Sequence, residues 1–172
     1  MKINKELENL AMQGPDNFQK LLSQDDKIAQ CLKGVLEEDG KEKIKWFTLS
    51  ANQGYAEVQF ELGAIYQAGR CGINEDPVEA EKWLLKAANQ NHMDAQFMLG
   101  TLYGNANSIK ANEHEAVKWY RKAAEQGQAE AQYNMALRYQ SGRAYNGGRG
   151  IYNRLEYAVE WHNQPTGNKQ EY

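Results

Sequence analysis

The sequence is short of the residues that build cross-linked, metal-bound or charged-polymer sites. Its two cysteines, Cys31 and Cys71, are too few for a disulfide framework and show no CxxC spacing. Its three histidines, His92, His114 and His162, come with no HExxH pattern. The opening MKINKELENL mixes charge with apolar groups and lacks a run of signal-peptide length. No later stretch approaches a membrane span. Neither sign of charge dominates: 20 basic residues face 23 acidic ones, a net charge of -3, without the basic footprint of a nucleic-acid binder. These absences predict a cytoplasmic protein with reduced thiols that binds neither nucleic acid nor membrane, and a monomer rather than an oligomer.

What the sequence does have is a repeat. A mean hydropathy of -0.83 is low for a single compact globule but suits an array whose units each bury one stripe and leave much surface wet. The tryptophans reveal the period, with Trp46, Trp83, Trp119 and Trp161 spaced by 37, 36 and 42 residues. The segments between them agree: AEVQFELGAIY from Ala56, DAQFMLGTLY from Asp94 and EAQYNMALRY from Glu130. AEKWLLKAANQN from Ala80 and AVKWYRKAAEQG from Ala116 follow, and KIKWFTLSANQG from Lys43 is an earlier relative.

Each unit reads as two helices. Val58, Leu62, Ile65 and Tyr66 form an amphipathic stripe, repeated as Ala95, Leu99, Leu102 and Tyr103. In the second helix Ala80, Trp83, Leu84, Ala87 and Ala88 recur as Ala116, Trp119, Tyr120, Ala123 and Ala124. Gly63, Gly100 and Ala136 share one register inside the first helix. Glycine costs roughly 1 kcal/mol there relative to alanine, so a close helix approach is expected, with the paired alanines on the other side. Gly54, Asn91 and Gly127 follow the second helices, where a left-handed cap is expected.

The expected organisation is a divergent capping region over 1–54, repeats over 55–91, 92–127 and 128–162, and a tail over 163–172. Within the cap, residues 25–38 carry a helical stripe (Ile28, Cys31, Leu32, Val35, Leu36) that does not align cleanly with the repeats. The third repeat holds an insertion near 144–154. The fold class predicted is all-α, an α-solenoid of antiparallel helix pairs.

Little in the chain suggests chemistry. His92 and Asp94 lie at a variable junction and read as exposed polar residues. Glu37-Glu38-Asp39-Gly40 lacks the alternating ligands of a calcium loop and reads as an acidic turn. Gly147-Gly148-Arg149-Gly150 lacks the Gly-Lys-Ser/Thr of a phosphate cradle. The tryptophans, at a fixed place on the second helix and followed by Phe47, Leu84 and Tyr120 in the first three, read as core rather than as a stacking ladder. No catalytic residue, cofactor site or metal site is expected.

The pattern A-x-A-Q-x-x-L-G-x-x-Y followed by K-A-x-x-W-Y-x-K-A-A-E-Q-G resembles the Sel1-like repeat, a relative of the tetratricopeptide repeat. It is carried here by Ala131-Gln132, Gln96, Leu99-Gly100 and Tyr103, then by Lys118-Trp119-Tyr120 through Gly127. The resemblance covers 55–162 strongly and 10–54 weakly. It implies a right-handed superhelical, non-enzymatic protein-binding module that holds its partner on a concave face lined by first helices. It does not extend to the cysteine-rich secreted branch, whose units each carry a cysteine pair.

On that face the positions that vary in register are Glu61, Met98 and Asn134, then Ala64, Thr101 and Leu137. Gln67, Gly104 and Gln140 form a third row, with Arg138 adjacent. Phe60, Phe97 and Tyr133 form an aromatic row expected to pack. Tyr145 and Arg149 in the insertion belong to the residue types favoured at binding hot spots. Two partners fit: a client held by an adaptor, or a cognate toxin whose active site a bacterial immunity protein occludes.

Overall fold

The computed structural model describes residues 2–105 and 111–141, in two compact units, Met1–Gln90 and Asn91–Tyr172. Among the described residues there are nine helices and no strand. The all-α helical-repeat class expected from the sequence is the one observed.

The first unit holds α1 (Lys2–Met12), α2 (Pro15–Ser23), α3 (Lys27–Leu36), α4 (Gly40–Asn52), α5 (Ala56–Ala68) and α6 (Pro77–Asn89). Three helices start on aspartate caps. Asp26 accepts from the Ile28 and Ala29 amides, Asp39 from Lys41 and Glu42, and Asp76 from Val78 and Glu79. Each cap satisfies donors that the first helical turn leaves open and is worth about 1 kcal/mol. Asp39 thereby realises the expected acidic turn. Its carboxyl is held below the usual range, chiefly by the Glu42 amide, with the Lys41 amide and nearby lysines assisting.

The core of this unit runs through Ala29, Phe47, Ala51, Val58, Leu62, Ile65 and Trp83. The close approaches predicted at the small residues are present, but the alanines do not supply the facing surface. A Cβ on Gly63 would lie 2.6 Å from Leu84 Cγ and Cδ2, and one on Gly34 would lie 2.5 Å from Phe47 Cδ1. The residue following the tryptophan fills the groove because its side chain, unlike a methyl group, is long enough to reach the facing backbone. Gly34 also places the stretch 25–38 in register. Ala29, Gln30 and Gly34 of α3 occupy the places of Val58, Gln59 and Gly63 of α5.

The second unit holds α7 (Met93–Gly104), α8 (Glu113–Glu125) and α9 (Ala129–Ser141). Its core comprises Ala95, Leu99, Leu102, Tyr103, Trp119, Tyr120, Ala123, Ala131, Met135 and Tyr139. Gly100 again makes room, a Cβ there falling 2.7–2.8 Å from the Tyr120 ring. The contacts Gly100–Tyr120 and Gly104–Ala116 run in opposite directions along α7 and α8, and Arg121–Tyr139 and Ala124–Gln132 do so along α8 and α9. Thus α7 and α9 point the same way.

The predicted left-handed caps are confirmed, with φ of 84° at Gly54, 65° at Asn91 and 91° at Gly127. Whereas Trp46 is only half-buried, two of the tryptophans are core as expected, Trp83 and Trp119 being buried. Lysine ammonium groups cover their rings, with Lys86 and Lys82 at 4.1 and 5.6 Å from Trp83 and Lys122 and Lys118 at 4.6 and 5.2 Å from Trp119. The lysine stems thereby cover apolar surface while their charges stay wet. Trp161 lies outside the described residues.

Candidate functional site

Two recurring devices hold the first helices in place. The first is a buried glutamine four residues into each of them. In the first unit Gln59 donates to the Ala51 carbonyl at 2.8 Å and accepts from Gln90 at 2.7 Å, while Gln53 donates to Gln30 at 2.8 Å. In the second unit three amides close a ring: Gln96 donates to Asn91 (3.1 Å), Asn91 to Gln126 (3.2 Å) and Gln126 to Gln96 (2.7 Å). Gln132 donates to the Ala124 carbonyl at 3.2 Å. A buried amide must be paired or it costs about 1–3 kcal/mol, so this position fixes where each first helix sits. The recurrence of Gln59, Gln96 and Gln132 in one register was the visible signal of this device; its pairing with Gln90 and Gln126 was not anticipated.

The second device is the residue after the tryptophan. In the first unit it is Leu84, wholly buried against Gly63. In the second unit it is Tyr120, and its ring becomes a shared floor for α7 and α9. Phe97 lies against it at 5.8 Å between ring centroids, and its hydroxyl donates to Thr101 Oγ1 at 3.3 Å. The Arg138 guanidinium stacks on it at 4.5 Å. Gly104 leaves space for Arg138, since a Cβ there would fall 2.5 Å from Nη2. Arg138 also lies 3.0 Å from Glu113 and donates to Asn134 Oδ1 at 3.2 Å.

The residues expected to meet a partner are therefore placed as follows. Around Tyr120 the structure gathers Thr101, Asn134 and Arg138, with Leu137 exposed on the same helix as Asn134. Met98 is half-buried one helical turn before Thr101. Arg138 is largely committed inward, its side chain only 11% exposed, so it shapes the surface more than it projects from it. In the first unit Glu61 is exposed and Gln67 half-buried, whereas Ala64 is buried and offers almost no surface. The Gln67 Oε1 is buried without a hydrogen-bond partner. Gln140, Tyr145 and Arg149 lie outside the residues whose side chains are described.

The aromatic row divides. Phe97 packs on Tyr120, but Tyr133 is 58% exposed, against the expectation that the row packs throughout. It stands on α9, the last described helix, and no described helix continues the stack beyond it. His92 is also reassigned: its Nδ1 accepts from the Ala95 amide at 3.3 Å, capping α7. It is half-buried rather than solvent-exposed. Burial raises the Tyr66 phenol above its ordinary value, and the charge of Glu79 adds to the shift. Among the described residues no group of three metal-ligating side chains converges. No helix among them is long and apolar enough to cross a membrane.

The comparisons with known proteins agree with this architecture. The Sel1 repeat family matches at residues 32–55, 56–92, 94–128 and 129–164. Among solved structures, a Sel1 repeat protein from Oxalobacter formigenes is 32% identical with a TM-score of 0.70, covering 88% of this chain and 65% of its own. A protective antigen present in uropathogenic Escherichia coli strains, with an SLR fold, is 30% identical with a TM-score of 0.69 over 85% of this chain. The chain spans only 31% of the length of that antigen. No curated protein matches the sequence.

Proposed function

The chain belongs to the Sel1 repeat family, and from that premise we propose that it is a protein-binding module whose first helices form the contact face, the concave face of such an array. Proteins of this family mediate protein–protein interaction and are typically non-catalytic scaffolds. The observation that carries the finer reading is the patch built around Tyr120. Thr101, Asn134 and Leu137 are variable side chains, held on helices whose backbones are fixed by buried amides and by a tyrosine shared between α7 and α9. Variable side chains on a rigid frame are the arrangement that recognition requires, because little entropy is lost when the partner docks. The protein acts as a monomer in this reading.

Affinity purification of the tagged chain from its native cells, with mass spectrometry, tests the proposal. Specific partners are expected, and Leu137→Glu should release them while the helical circular-dichroism spectrum is retained. A single stoichiometric toxin among them would identify an immunity protein. Partners that bind the variant as well as the parent would remove the first-helix face from the account. A catalytic activity of the pure chain, abolished by a point change at His92 or His114, would sink the scaffold reading altogether.

A further inference from the structure

The face of α7 and α9 in the second unit combines two features that favour one kind of partner over others. The first is exposed apolar surface on the side chains that follow one another along both helices. Phe97 and Met98 are half-buried on α7, while Tyr133 is 58% and Leu137 41% exposed on α9. Isolated exposed apolar residues are ordinary, but here Phe97 and Tyr133 share one register on two helices that run the same way, with Met98 next to the one and Leu137 one turn beyond the other.

The second feature is the charge of that face. Along α7 the only charged residue is Asp94, and along α9 the charged residues are Glu130 and Arg138. Asp94 and Glu130 are both exposed and make no ion pair among the described residues. Arg138 is drawn inward onto Tyr120 and Glu113. The helix dipole accounts for an acid in a first turn. It does not account for a face on which the lone cation is folded away while both carboxylates stay solvated. Each acid stands three residues before an aromatic ring, as Asp94–Phe97 and Glu130–Tyr133, so the negative end and the apolar stretch adjoin on both helices.

Resting on the protein-binding reading above, we infer that this face takes a protein segment carrying apolar side chains with lysine or arginine at one end. The apolar residues lie along Phe97, Met98, Tyr133 and Leu137, and the basic end lies against Asp94 and Glu130. A lysine or arginine there also meets the aromatic rings, which attract cations through their faces. A partner with an acidic end is repelled.

The test uses the full chain and two fluorescent 12-residue peptides with the same Leu- and Phe-containing core, one preceded by three lysines and the other by three glutamates. Fluorescence anisotropy at low salt should show the lysine peptide binding at least about tenfold tighter. Raising the salt to about 0.5 M should shrink that difference, because exposed charge pairs are screened. Asp94→Lys with Glu130→Lys should reverse the preference, and Glu125→Lys on α8 should leave it unchanged. Equal binding of the two peptides overturns the charge assignment while leaving a protein-binding face in place. Failure of both peptides, together with failure of the purification above to yield any partner, overturns the reading beneath it as well. Concentration-dependent dimerisation abolished by Leu137→Glu would assign the face to a second copy of this chain and overturn the inference.

Discussion

The pairs α5–α6 and α7–α8 are built on the same frame and finished differently. Each sets a glycine (Gly63, Gly100) against the residue after a buried tryptophan, and each closes a glutamine onto the end of its second helix. In α5–α6 the groove is filled by Leu84, opposite a first helix whose next position is the buried Ala64. In α7–α8 it is filled by Tyr120, and that next position is Thr101, which receives the tyrosine hydroxyl. The junction before α5 turns through Gly54, whereas Asn91 at the equivalent place contributes a side chain to an amide ring. In these two pairs the polar finish comes with partners that change together. The tyrosine comes with its threonine, and the ring of three amides with its asparagine.

That coupling can be broken by exchanging the finishing residues. Leu84→Tyr should be the most damaging change, because it adds volume to a closed groove and buries a hydroxyl opposite Ala64. We expect a loss at the upper end of about 1–3 kcal/mol in urea unfolding followed by circular dichroism. Adding Ala64→Thr should recover part of it; no recovery would mean that the pairing of Tyr120 with Thr101 is incidental. Gln96→Leu should cost about 2 kcal/mol, since it strands the amides of Gln126 and Asn91. Its counterpart Gln59→Leu should cost a similar amount if the two devices are equivalent.

Smaller effects sharpen the same contrast. Tyr120→Leu makes the second unit resemble the first and should cost about 1–2 kcal/mol, by lost ring contact with Phe97 and Arg138. Hydrogen exchange should quicken in α9 as well as in α7, because the ring serves both. Asn91→Gly opens the amide ring but relaxes a left-handed backbone, so the net change should stay below about 1 kcal/mol. Last, the Asp39 carboxyl is held low by the Glu42 and Lys41 amides. Its contribution is complete above the ordinary carboxylate range and is lost as pH falls through the lowered folded value. Asp39→Asn should therefore flatten the acid limb of a stability–pH curve, and an unchanged limb would remove Asp39 from the account.

Much of this frame could be read from the residues. The tryptophan period, the two stripes and the positions of Gly54, Asn91 and Gly127 all reflect local geometry, which repeats in sequence whenever it repeats in space. The partner of each glycine was harder, because a groove is filled by whichever side chain is long enough to reach it. The paired alanines stood in the right helix, but Leu84 and Tyr120 make the contact. Arg138 was harder still. Its burial depends at once on the missing side chain of Gly104, the ring of Tyr120 and the charge of Glu113, which come from two other helices. Ala64 and Thr101 share a register yet differ in burial, Ala64 being buried and Thr101 exposed. Variation along a sequence marks a position as free of the frame without saying whether solvent reaches it.

The glutamine in each first helix also bears on how such a chain can change length. Gln59 joins a carbonyl at the end of the preceding helix to a side chain at the end of the following one, and Gln132 reaches the equivalent carbonyl of its own predecessor. The carbonyl before the helix and the glutamine after the following one recur in register along the chain, as Ala51 and Ala124 and as Gln90 and Gln126. A tandem duplication or deletion of one complete period therefore keeps these glutamine links matched, whereas a cut between a glutamine and its partners strands an amide. Selection can lengthen or shorten an array of this kind in whole steps without first rebuilding its interior.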